Sequence, residues 1–147
     1  LMAFVLDASV TAAWLLTDEP DTFAALVRAR LTRETAVVPV IWHYETRNLL
    51  VMAERRGRLS PAASDAALAI LARLPIMIDG SANDASVLTI ARQRGLTVYD
   101  SAYLELAART ASPLATLDRR LRVAAEAEGV DLLQSETGLA APPPTSP

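Results

Sequence analysis

An α/β fold, with a parallel sheet of four to five strands and helices on both faces, is what this sequence predicts, and three observations predict it. Short apolar runs of strand length recur at Ala3-Phe4-Val5-Leu6, Ala36-Val37-Val38, Ile76-Met77-Ile78 and Leu114-Ala115-Thr116-Leu117. Segments with helical spacing separate them, as in a βαβ succession. Carboxylates stand where apolar segments hand over to helices: Asp7, Asp100 after Val98-Tyr99, Asp118, and Glu45 early in a helix after Val37-Val38-Pro39. In an open parallel sheet the carboxyl ends of the strands face one side, so such acids converge in one crevice.

The elements follow in order. Ala3 to Leu6 suits a buried strand, and Asp7-Ala8-Ser9 offers capping groups for a helix through Trp14-Leu15-Leu16. Pro20 restarts the chain, Phe23, Leu26, Val27, Ala29 and Arg30 mark a second helix, and Ala36-Val37-Val38 is short and β-branched. Ile41 to Arg56 fits a helix ended by Gly57, and Ser60-Pro61 opens another with Ser at the cap and Pro at the first helical position. That helix carries Ala63, Ala67, Ile70, Leu71 and Leu74 until Pro75 stops it, and Ile76-Met77-Ile78 makes the third strand. Asn83 to Arg94, closed by Gly95, and Asp100 to Arg109 read as helices. Leu114 to Leu117 is the fourth strand, Arg119 to Glu128 a helix ended by Gly129, and Val130 to Leu133 a fifth strand. One folded unit is expected over 2–135, followed by a Pro-rich flexible tail over 136–147.

Composition narrows the chemistry. Hydrophobic residues make up 52% of the chain and mean hydropathy is +0.25, yet no apolar run approaches the roughly 18 residues of a membrane span. The segment Leu1 to Asp7 has no basic region and meets an acid at once, which argues against a secretory signal, and the absence of Cys fits a reducing, cytoplasmic setting. Without Cys there is no disulfide, thiolate nucleophile or structural zinc cluster. His43 is the only histidine, which argues against multi-histidine metal sites and weakens a Ser-His-Asp reading. The net charge of −3 is the opposite of a surface-wide polyanion binder, so a nucleic acid would have to meet a local patch. All 14 basic residues are Arg, clustered at Arg28/Arg30/Arg33, Arg55/Arg56/Arg58 and Arg119/Arg120/Arg122. The last cluster lies beside Asp118 and is the candidate for phosphate contact.

Each acid has a bland alternative. Asp7, Asp100 and Asp118 stand at predicted helix starts, where an Asp commonly caps. Glu45 lies inside an apolar helical segment where no cap is needed, and Asn48, three residues on, shares its face. Ser9 and Thr116 are hydroxyls two residues from Asp7 and Asp118, placed for a metal-bound water, a phosphate oxygen or local backbone bonding. Asp79 also follows a strand, but Gly80 beside it reads as a turn; Asp84 fits a first-turn helix acid, Asp65 and Glu105 exposed helix faces, and Asp131 the wrong end of the sheet. Trp14, Trp42, Tyr44 and Tyr103 read as core, with Tyr44 or Tyr103 able to border the crevice. Carboxylates gathered without cationic partners repel. An oxygen-only donor set of this kind suits a hard cation such as Mg²⁺ or Mn²⁺.

Four segments in sequence, Val5-Leu6-Asp7-Ala8-Ser9, Tyr44-Glu45-Thr46-Arg47-Asn48-Leu49, Val98 to Ala107 and Pro113 to Leu121, give a chain that resembles the PIN-domain ribonucleases. The resemblance is to the small VapC-type toxins of bacterial toxin–antitoxin pairs and runs from about Met2 to Leu133. It implies a PIN-like three-layer sandwich and an acidic, metal-binding catalytic site of Asp7, Glu45, Asp100 and Asp118, with Ser9, Asn48 and Thr116 in support. It further implies RNA cleavage to a 5′-phosphate and a 3′-hydroxyl with Mg²⁺ or Mn²⁺, a homodimer, and a cognate antitoxin that blocks the site. Arg119, Arg120 or Arg122 would then hold the RNA backbone. The absence of Lys and the net acidity depart from an ordinary RNA-binding surface. Two other readings stay open: a PIN-type RNA-processing or flap-type DNA nuclease that is not a toxin, and a non-catalytic α/β binding module whose acids are caps.

Overall fold

Phe4, Val5 and Leu6 are wholly buried in consecutive positions. Successive strand residues point to opposite faces of a sheet, so both faces are covered where these three lie. In the computed structural model, which describes residues 2–16, 18 and 20–134, they form β1 (Ala3–Leu6), followed by α1 (Ala8–Leu15), α2 (Thr22–Arg30), β2 (Thr35–Pro39) and α3 (Val40–Arg55). Then come α4 (Pro61–Leu71), β3 (Ile76–Asp79), α5 (Asp84–Arg94), α6 (Val98–Thr110), β4 (Leu114–Ala115) and α7 (Arg119–Ala127). The architecture is α/β, with a four-stranded parallel sheet in the order β3-β2-β1-β4. None of the described helices is long and apolar enough to cross a membrane.

The strand order positions the site. The chain lays β1, β2 and β3 outward in one direction, then returns to the opposite side of β1 to add β4. Such a reversal opens a crevice between the carboxyl ends of the two strands that flank it. Here those strands are β1 and β4, joined in register at Val5↔Leu114 and Leu6↔Ala115. Helix α6 packs across β1, β2 and β4, and its inward face supplies Tyr103, Leu104 and Leu106 to a core with Phe4, Val10 and Leu121. The far edge is less covered, for Met77 and Ile78 of β3 are exposed.

Several boundaries differ from those read in the sequence, each for a local reason. Val98-Tyr99 is the first turn of α6 rather than a strand end, because the Thr97 hydroxyl accepts the Asp100 N–H at 3.1 Å and caps the helix there. The fourth strand stops at Ala115, since Thr116 turns its hydroxyl to side-chain and backbone partners beyond the ladder. Val130 to Leu133 adds no fifth strand; Leu132 makes a single parallel bridge to Leu114, there being little ladder for it to join. Helix α4 ends at Leu71, short of Leu74, and Ile70 is exposed. The Ser60 cap and Pro61 at the helix start are as expected. The expected tail over 136–147 lies outside the described residues.

Glu105 is the clearest departure, because it is buried rather than exposed. Its carboxylate accepts from Arg109 at 2.7 Å and from the Asn83 N–H at 3.2 Å, while Arg109 also binds Asp79 at 2.9 Å. The charge is therefore paired, as a buried charge must be. Asp79 is held below its ordinary carboxylate range by Arg109 and by the Ser81 N–H, and its role is structural: it ties the β3 edge to α6. Breaking a buried pair costs about 3–5 kcal/mol, but the Arg109 side chain is 30% exposed, and solvent screening reduces the figure. Arg109→Ala should therefore lower stability by about 2 kcal/mol in urea denaturation. A loss below about 0.5 kcal/mol would mean that Glu105 is held by other groups.

Candidate active site

Asp7 occupies the N-cap position of α1 with extended backbone (φ −76°, ψ 147°), yet its side chain caps nothing. Instead its Oδ2 accepts from the Ser9 hydroxyl at 2.6 Å and from the Thr116 hydroxyl at 2.7 Å. Both hydroxyls are themselves fixed from the backbone, Ser9 accepting from the Leu117 N–H at 2.9 Å and Thr116 from the Asp118 N–H at 3.0 Å. Each hydroxyl has one proton, and both protons go to Asp7. The close approach of Ser9 Oγ to Thr116 Oγ1, at 3.3 Å, is thus a packing consequence of their shared acceptor. This knot joins the end of β1 to the segment leaving β4, and the Asp7 N–H adds a bond to the Ala115 carbonyl at 3.0 Å.

The other acids arrive from three helices. Glu45, on α3, accepts from the Tyr103 hydroxyl of α6 at 2.8 Å. Burial, with Glu45 and Asp7 nearby, pushes the Tyr103 phenol far up, so it stays protonated and acts as a fixed donor. Asp100 stands in the first turn of α6, but Thr97 performs the capping, which leaves the Asp100 carboxylate free of that task. Asp118 does cap: one oxygen accepts from the N–H groups of Arg120 and Leu121 at 2.9 and 3.2 Å.

The structure brings the sequence-predicted acids together. Asp7, Glu45, Asp100 and Asp118 line one cleft of about 270 Å³, with Ser9, Asn48, Ala8, Ala12 and Leu49 completing its walls. Thr116 lies behind Asp7 rather than on the cleft wall. Of the candidate arginines, Arg120 is drawn to the Gly95 carbonyl at 2.9 Å, and Arg119 and Arg120 line a neighbouring groove with Arg94. Tyr103 is the residue whose part the sequence left open; its i, i+3 spacing from Asp100 on one helix was the available signal.

The electrostatics set this cleft apart from the rest of the fold. None of its four acids forms an ion pair among the described residues, whereas Glu105, Asp79, Glu34 and Glu128 all do. Burial holds the Asp7 carboxyl above its ordinary range, against the two hydroxyl bonds and with Asp100 and Asp118 adding repulsion. Glu45 is raised by burial, with Asp7 and Asp100 contributing, and Asp100 by burial and by Asp118, against Thr97 and the Arg120 guanidinium. Among the described residues no three acids, histidines or cysteines are grouped closely enough to hold a metal ion as they stand. Mg²⁺ does not require such a group, since it keeps several of its waters and takes only one or two protein carboxylates directly. The donor set, all oxygen and without an ion pair among the described residues, fits a hard divalent ion.

Comparison with known proteins agrees with the fold. The family model described as PIN domain matches residues 4–127. The chain is similar in structure to PAE2754 from Pyrobaculum aerophilum, with a TM-score of 0.65, 28% identity, and 84% of this chain and 79% of that one covered. It is also similar to VapBC2 from Rickettsia felis, solved bound to a DNA fragment from their promoter, with a TM-score of 0.62, 14% identity and coverage of 90% and 98%. A third likeness is to Mycobacterium tuberculosis VapC20, a sarcin-ricin loop cleaving toxin, with a TM-score of 0.57, 13% identity and coverage of 82% and 94%. No curated protein sequence matches the chain.

The raised carboxyls carry a prediction for stability. A carboxyl whose folded-state pKa lies above its unfolded value binds protons more tightly when folded, so stability falls as pH rises from the unfolded value through the folded one. Asp7, Glu45 and Asp100 each act in this sense, while Asp79 acts in the other. Asp7→Asn keeps an oxygen to accept from Ser9 and Thr116 but removes the buried charge. In metal-free buffer its melting temperature should exceed the parent's by a few degrees at pH 7, and the gap should close below about pH 4. A lower melting temperature at pH 7 would mean that the charged hydrogen bonds outweigh burial and repulsion.

Proposed function

Because the chain belongs to the PIN domain family, we propose that it is a divalent-metal-dependent endoribonuclease, a VapC-type toxin held inactive by a cognate antitoxin. The observation that carries the reading is the cleft at the β1/β4 switch point, where four carboxylates meet and none of them is ion-paired among the described residues. A fold does not by itself fix a function, and the chemistry of this donor set is what favours hydrolysis of a phosphodiester. The names of its structural neighbours, a VapBC2 pair and a sarcin-ricin loop cleaving toxin, favour an RNA substrate and an antitoxin partner. A homodimer belongs to the same reading, for which exposed Ile70, Met77, Ile78 and Leu88 offer apolar surface to bury.

Asp7, Glu45, Asp100 and Asp118 would hold the ion. A bound Mg²⁺ or Mn²⁺ supplies Lewis acidity toward a phosphate oxygen and makes water a nucleophile near neutral pH. The protein's own part is placement. Ser9 and Thr116 fix one oxygen of Asp7 and so orient the carboxylate from behind, and Tyr103 does the same for Glu45. Such outer partners commonly contribute about 10–100-fold to metal affinity or activity. Asn48 puts an amide on the cleft wall, able to donate to a phosphate or sugar oxygen. Arg119, Arg120 or Arg122, at the start of α7 beside Asp118, would meet the RNA backbone, Arg119 and Arg120 from the groove next to the cleft.

Purified protein should cleave a mixed cellular RNA pool with Mg²⁺ or Mn²⁺ and stop when a chelator is added. Asp7→Asn and Asp100→Asn should each lose more than the ~100-fold typical of an outer partner while remaining folded, and Asp79→Asn should cleave as the parent does. Cleavage by both cleft variants at the parent rate would overturn the site, and a folded but inactive Asp79 variant would move it. Tyr103→Phe removes only the donor to Glu45 and should reduce cleavage by about 10–100-fold. In a metal titration followed by thermal melting, millimolar Mg²⁺ should raise the parent's melting temperature and leave a double Asp7→Asn, Asp100→Asn variant unmoved, since only an ion that binds the folded state stabilises it.

A further inference from the structure

The arginines that follow Asp118 line a groove of their own, of about 490 Å³, between the end of α5 and α7. Both of its sides run directly into the acidic cleft. On one side Leu96 precedes Thr97, the cap of α6, whose first turn carries Asp100. On the other, Asp118 caps α7, and the next two residues are Arg119 and Arg120. Reciprocal contacts hold the two helices at this spacing. Arg120 donates at 2.9 Å to the carbonyl of Gly95, which ends α5. Arg94 in turn donates to Glu128 at 2.7 Å and, at 3.3 Å, to the carbonyl of Ala127, the last residue of α7.

The lining combines three kinds of chemistry. Leu96, Val123 and Ala124 give it an apolar side, and Val123 is 62% exposed with no fold partner to cover it. Arg119 and Arg120 belong to none of the ion pairs among the described residues. A guanidinium has five N–H donors, so Arg120 is fixed by Gly95 and keeps donors for an anion. Gln93 adds an amide, one donor beside one acceptor, the pattern that reads an adenine edge. Held anion, apolar side and amide together match the phosphate, the base face and the base edge of one nucleotide. An acidic peptide would meet the same arginines but brings no base edge for the amide. We propose that this groove is a nucleotide subsite: it takes a nucleotide flanking the scissile phosphate, with Arg119 and Arg120 on the backbone, the base against Leu96 and Val123, and Gln93 selecting which base is accepted. The proposal rests on the nuclease reading for the existence of a scissile bond.

Two measurements test it. In the first, a random-sequence RNA oligonucleotide library is cleaved in Mg²⁺ and the cut ends are sequenced. With the parent, one position at a fixed distance from the cut should favour adenine by about tenfold, within the range of one bidentate base contact. Gln93→Ala should flatten that position, and Gln93→Glu, which only accepts, should shift it toward cytosine. Gln93 is exposed, so both variants should melt with the parent. Arg119→Ala should instead slow cleavage of all sequences alike and lessen its salt dependence, with the base preference kept. No preference at a fixed position in the parent, or one that Gln93→Ala leaves intact, overturns the proposal. The second measurement needs no cleavage: RNA carrying 4-thiouridine is photocrosslinked to the Asp7→Asn protein in Mg²⁺, and the adducts are mapped by mass spectrometry. They should fall on the groove segments 93–96 and 119–124. Adducts confined to other segments overturn the subsite and leave the groove to an acidic peptide. Groove adducts without cleavage by the parent would remove the nuclease reading and keep the RNA site, and cleavage without groove adducts would do the reverse.

Discussion

The carboxylate of Asp7 is buried at the seam between two strands and is held there by two hydroxyls whose own positions depend on the backbone of the neighbouring strand's exit. Ser9 comes from the chain leaving β1 and Thr116 from the chain leaving β4, so one oxygen atom records the closure of both. The remaining geometry of the cleft depends on this knot. It leads the chain from β1 into α1, it ends β4 at Ala115, and through the Thr116 contact to the Asp118 N–H it sets where α7 begins. Burial makes each of these bonds stronger than it would be in water and makes any unpaired charge more costly. The fold accepts that cost at one place.

The same chain shows how it treats acids elsewhere. Glu105 is as buried as Asp7, but Arg109 and the Asn83 N–H answer it, and Arg109 is shared with Asp79. Glu34 is answered by Arg30 and Glu128 by Arg94. An all-arginine basic set suits this use, since a guanidinium can bind two carboxylates at once. Against that background a cleft whose four acids form no ion pair among the described residues is a difference in kind. Its acids receive hydroxyl, phenol and backbone donors, which orient them without cancelling their charge. A site arranged in that way is prepared for a cation from solution and for an anion that the cation brings.

The four carboxylates also divide the work of being held. Asp118 uses one oxygen to cap α7, Glu45 uses one on Tyr103, Asp7 uses one on two hydroxyls, and Asp100 is relieved of capping by Thr97. Each retains acceptor capacity toward the cleft, which a carboxylate with two oxygens permits. Rigid elements carry all of them, and precise placement of ligands depends on such support.

By itself the sequence determined the alternation of strands and helices, the parallel sheet, and the acids to watch, because burial periodicity and strand-end chemistry are local properties written in neighbouring residues. Glu45 and Asn48 were legible from helical spacing, and Asp79 was set aside from the turn residue beside it. What the sequence left open was whether each Asp was a cap or a free carboxylate, since both uses place the same residue at the same helix start. Only the tertiary structure decided this: Asp118 caps, Asp7 does not, and Thr97 frees Asp100. It also buried Glu105, brought the Tyr103 hydroxyl to Glu45, and reduced the fifth strand to one bridge. The bonds of Asp7 to Thr116, of Glu105 to Asn83 and of Glu45 to Tyr103 join residues far apart in the chain, and spacing along one helix or strand carries no record of who stands opposite.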